Sequence, residues 1–155
     1  MYYTKVRAMI KKLFGIIILV LWCNVSVSET TEEKIDNYIY NNLSFEYIEC
    51  QHYLMIMSEA LRTNNPDPKL IKNYVDNAKL VSDIAFSYGE EAGMSLEGMI
   101  ARSKQISNKM LKSLDNNFAN IAVIQVKYAD LCRSLIESPE IRNQFWINKA
   151  NEKYK

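Results

Sequence analysis

Cys50, Cys132 and the Glu49–His52 pair are the residues of this chain whose types and spacing could do chemistry. Glu-x-x-His sets a carboxylate and an imidazole one helical turn apart, the arrangement by which carboxylate di-iron bundles bring two ligands to one metal pair. Such a centre needs the motif twice and further glutamates, whereas His52 is the single histidine among 155 residues. It also stands two positions from Cys50, about 200° round a helix from the seam through that cysteine, so it is expected at the solvent face or an edge. One histidine leaves no room for a His-rich zinc site and excludes most nucleophile–base pairs. Cys-x-x-Cys-His and glycine-rich phosphate loops are absent from the sequence. The neighbours Glu90 and Glu91 point apart on a loop or helix end, as solvated residues do. No catalytic, cofactor-binding or metal-ligating residue is assigned, and a non-enzymatic protein is expected.

What remains is sulfur, and its state depends on compartment. Lys5, Arg7, Lys11 and Lys12 precede an apolar run from Leu13 to Trp22, and Ser26 and Ser28 then occupy the small-residue positions of a cleavage site. That pattern predicts a signal peptide over residues 1–28 and a periplasmic or secreted product. A ten-residue run rises about 15 Å as a helix, half of the roughly 30 Å of bilayer hydrocarbon, so stable membrane insertion after cleavage is not expected. Leu21 and Trp22 stand before Cys23 where a lipoprotein signal would need small residues. In an oxidising compartment Cys50 and Cys132 are free to form a disulfide. The sequon Asn42-Leu43-Ser44 falls inside a predicted helix and decides nothing.

Residues 29–155 form a chain of ordinary single-domain length. Four of the 19 basic residues and none of the 18 acidic ones lie in the leader, which leaves 15 against 18 and a net charge of −3. A mildly negative chain without a basic cluster lacks the footprint of a nucleic-acid binder or an anionic-membrane binder.

The elements that must position the cysteines read as helices throughout. Thr30 and Glu33 match a capping box. From there Tyr40, Leu43, Tyr47, Cys50, Leu54, Met57 and Leu61 recur at steps of three and four, a bundle-facing stripe that ends near Arg62. Asn64-Asn65-Pro66-Asp67-Pro68 stops this helix and restarts the next, with Asp67 as cap and Pro68 in the first turn. The second helix carries Ile71, Tyr74, Ala78, Val81, Ala85 and Tyr88 inward and is expected to end at Gly89 in a left-handed cap. Ser95 caps a third helix whose inner face is Met99, Ser103, Ile106, Met110 and Leu114. Ser138-Pro139-Glu140 opens a short last helix bearing Ile141, Phe145 and Trp146.

Between the third and last helices the periodicity runs on through Asp115-Asn116-Asn117, from Leu111 by way of Phe118, Ile121, Gln125 and Tyr128 to Cys132 and Leu135. One unbroken helix would carry Cys132 roughly 40 Å from Cys50, whereas a reversal at 115–117 sets it about 21 Å down a fourth helix and level with Cys50. Asn and Asp favour turns over helix interiors. The expected fold is all-α: an up-down-up-down four-helix bundle with a short fifth C-terminal helix folded over one end, and one disulfide tying the first and fourth helices.

Met55-Ile56-Met57 is wider than one seam requires. Met55 and Ile56 are expected to receive Phe145 and Trp146 of the last helix or a partner, and these four form the candidate interaction surface. The expected function is binding of another protein by a braced helical module, in the manner of immunity proteins, chaperones or adaptors. The alternative is a carrier of an apolar small molecule in the bundle core.

Overall fold

In the computed structural model, residues 30–64, 67–115 and 117–155 are described; the expected leader at 1–28 lies outside the described residues, as do Asn65, Pro66 and Asn116. Helix α1 spans Thr31–Asn64, 34 residues with Glu32 and Glu33 in its first turn and Arg62 in its last, charges that suit the helix dipole. Helix α2 (Pro68–Glu91) starts where the sequence predicts, with the Asp67 carboxylate accepting from the amides of Lys69 and Leu70 at 2.9 and 3.2 Å. Helix α3 (Leu96–Ser113) is capped by Ser95 Oγ, which accepts from Gly98 N at 3.1 Å.

The expected break after α3 is present. Leu114 and Asp115 close the helix, Asp115 takes a left-handed φ of 51°, and Asn117 caps a 3-10 turn at Phe118–Asn120. Helix α4 (Ala122–Glu137) follows, then helix α5 (Pro139–Tyr154). All regular structure among the described residues is helical. The Cα atoms of Cys50 and Cys132 lie 5.1 Å apart and their sulfurs are bonded.

Two local expectations need correction. Gly89 is not a cap: it lies buried inside α2, where an added Cβ would overlap Met99 Sδ, and its bare backbone admits that side chain. The left-handed turn belongs to Gly93, with φ of 69°. The Ser138 hydroxyl caps nothing. Its amide instead donates to Ser134 O at 3.0 Å, and Pro139 alone opens α5.

The core forms round α1, which packs against each of the other four helices. That position explains why α1 buries far more than one stripe: Ile48, Tyr53 and Ile56 lie as deep as the seam residues Leu43, Tyr47, Cys50 and Leu54. Against α2, Ser44 Oγ donates to Ala85 O at 2.9 Å while Tyr40 and Tyr47 both stack on Tyr88. Against α4, Tyr53 meets Tyr128, Cys50 bonds Cys132, and the Tyr47 hydroxyl donates to Leu135 O at 3.1 Å. Residue numbers rise along α4 as they fall along α1, so the two run antiparallel.

Helix α5 has 16 residues, as many as α4, and is neither short nor folded over an end. Arg142 pairs with Glu46, and Trp146 and Tyr154 pack on Tyr38, so α5 continues along the N-terminal half of α1. Its inner side uses Arg142, Trp146, Ile147 and fully buried Ala150, while Ile141 and Phe145 remain exposed. Counting apolar residues alone missed this face because an arginine and an alanine belong to it. Thr31–Lys155 form one compact unit. No helix among the described residues is long and apolar enough to cross a membrane.

Candidate functional site

His52 and Glu49 lie on successive turns of α1, both half-buried. His52 Nε2 stands 2.8 Å from Ser103 Oγ on α3, so the imidazole bridges two helices instead of meeting solvent. Burial lowers its pKa below 6.5, opposed by the Ser103 contact, and the neutral ring prevails near neutrality. Burial likewise raises the Glu49 carboxyl, with Lys127 and Lys109 pulling it back down and Glu46 adding to the rise. A neutral histidine beside a hydroxyl has nucleophile–base spacing, but that chemistry needs a third group orienting the ring. Among the described residues Glu49 makes no hydrogen bond to His52, and no three His, Cys, Asp or Glu side chains converge as metal ligands do.

The four residues expected to form one interaction surface are dispersed. Ile56 is only 7 % exposed and belongs to the core, whereas Met55 is 42 % exposed on the opposite flank of α1. Trp146 is half-buried with its ring 6.0 Å from that of Tyr38, and Phe145 packs edge-on against Trp146 at 5.0 Å. Tyr38, on which Trp146 packs, precedes Met55 by about 25 Å of helix. Arg142 holds the second pair in place, its guanidinium 4.2 Å above the Phe145 ring while it bonds Glu46.

The sequon is closed to modification in the folded chain: Ser44 is fully buried on Ala85 O, and Asn42 Nδ2 donates to Tyr38 O at 2.6 Å. Tyr47, between the Tyr88 ring and Leu135 O, has its phenol pushed up to about 12, first by burial and then by Tyr88 and Glu46.

The site that sequence reasoning missed is a groove of about 380 Å³ between α2 and α4. Its floor is Tyr53 and Leu54 of α1 beside Cys132; one wall is Leu70, Asn73, Tyr74 and Asn77, the other Gln125, Ala129, Arg133, Ile136 and Glu137. The two walls belong to helices that both pack on α1, and the disulfide fixes the α4 side. Three carboxamides and a tyrosine hydroxyl line it, each able to donate or accept, over an aromatic and aliphatic floor. Gln125 carried the only signal: a polar residue on a predicted apolar seam. Ile124, fully buried, takes the core position and turns Gln125 outward. No protein-family model, curated protein or solved structure matches the chain.

Proposed function

We propose that this chain is an exported, non-enzymatic helical module that binds another protein in the groove between α2 and α4. In this reading, residues 1–28 are removed on export, residues 29–155 form one domain, and the first four helices run up-down-up-down with α5 alongside α1. Support for that topology comes from the antiparallel pairing of α1 with α4 and from the break in the chain at Asp115. Export is supported by the bonded cysteines, since disulfides persist in oxidising compartments.

The observation that carries the proposal is the open groove, with convergent polar side chains over an apolar floor and walls pinned to a common central helix. Concave sites with a few placed polar groups are where binding concentrates. A carrier of an apolar molecule would need an enclosed apolar cavity, whereas the amides, Arg133 and Glu137 in these walls favour a polar, peptide-like ligand.

Affinity capture from the exported fraction with the tagged protein tests this. Asn73→Trp and Gln125→Trp both plug the groove from exposed positions and leave the core untouched. Each should abolish capture of the protein retained by the wild type. Undiminished capture by both folded variants would move the binding surface elsewhere, and recovery of a lipid or metabolite instead of a protein would replace the proposal.

A further inference from the structure

We infer that the groove reads the main chain of an extended peptide segment of three to six residues, an inference that rests on the groove being the partner-binding site. Asn73 and Asn77 stand four residues apart on one wall, a rise of about 6.0 Å along a helix. Alternate peptide units of an extended chain repeat every 6.4 to 6.8 Å, nearly the same step. A carboxamide offers one carbonyl acceptor and an NH2 donor, the complement of the C=O and N–H of a peptide unit. Two such amides in this register can each engage one unit of a strand lying along α2, with Gln125 reaching the same strand from the opposite wall.

Length and chemistry agree with that occupant. The α2 wall runs from Leu70 to Asn77 and the α4 wall from Gln125 to Glu137, about 10 and 18 Å, the spans of three and of five or six residues at about 3.3 Å each. A docked helix would instead bury a stripe of apolar anchors in apolar pockets, and here the walls are dominated by Asn, Gln, Arg and Glu. Arg133 is already engaged by Asp130 at 3.2 Å, so the charge offered at the far end is the Glu137 carboxylate, which suits a basic side chain on the segment.

The test is selection of capped random hexapeptides on the full, disulfide-intact protein, followed by N-methylation of single peptide bonds in the winners. Winners should carry Lys or Arg near one end. Methylation at two peptide units spaced by two residues should weaken binding at least tenfold, and methylation at the unit between them should not. Asn73→Ala with Asn77→Ala should weaken the parent peptide by a similar factor and erase its sensitivity to methylation. Winners that bind as helices, or that tolerate methylation everywhere, would overturn the inference and leave the groove as binding site; so would selection of no hexapeptide while the tryptophan plugs still abolish partner capture. If those plugs leave capture intact, the reading beneath it fails as well.

Discussion

Glu46 on α1 accepts two hydrogen bonds from Arg142 on α5, 96 positions later in the chain: from Nε at 2.9 Å and from Nη2. The carboxylate is nearly buried and the guanidinium is covered by Phe145 and Trp146. A pair so placed contributes little over an apolar replacement, but loss of one partner strands the other. Arg142→Ala should therefore lower unfolding free energy in urea by about 2–4 kcal/mol. Arg142→Ala combined with Glu46→Leu should recover most of it. Equal stability of the single and double variants would show that the buried charge carries no penalty.

Cys50 and Cys132 close a loop of 82 residues. Chain entropy assigns such a bridge about 4 kcal/mol, which for a domain of this size corresponds to a Tm about 10–20 °C lower on reduction. Calorimetry with and without a strong reductant checks this, and a Tm indifferent to reductant would refute it.

His52 and Glu49 give stability opposite slopes with pH. The unfolded chain takes up a proton at His52 near pH 6.5, before the folded protein does, so stability falls as pH drops below about 6.5. Glu49 is raised above 4.5, so its contribution is present below that value and is lost as pH rises through the folded pKa. The difference in unfolding free energy between wild type and His52→Gln should narrow on acidification from pH 7 to pH 5. A difference constant with pH would place the imidazole in water.

Gly89→Ala sets helix propensity against crowding. Alanine would gain about 1 kcal/mol in an open helix, yet its Cβ overlaps buried Met99 Sδ and meets Met94 Cε at 3.1 Å. Overpacking costs about 1–3 kcal/mol, so the variant should melt lower than the wild type. Gly93→Ala should be destabilising too, by strain at a φ of 69° with no atom in the way. A raised melting point for Gly89→Ala would mean that Met99 yields without loss.

Much of the fold was legible because helix signals are local. Asp67, Ser95 and Asn117 mark helix starts through side-chain oxygens that accept from the nearest amides, and each start falls where those residues stand. The cysteine pair fixed a long-range distance, which periodicity alone does not. The path of α5 was not legible, because Arg142 faces inward only once Glu46 is there to receive it. Gly89 misled because the same absence of a side chain serves a left-handed turn and a close approach, and only the position of Met99 tells them apart. The groove escaped notice because it is made by two helices far apart in sequence. Its walls are polar, and polar residues on helices read as solvated surface until the facing wall is known.

The sulfur bond also alters what a protease can achieve. A cut in the turn around Gly93, between α2 and α3, opens a covalent ring and leaves both fragments attached to each other. Nicked molecules should migrate as intact chains until a reducing agent is added, and α1 would keep holding both severed halves in register.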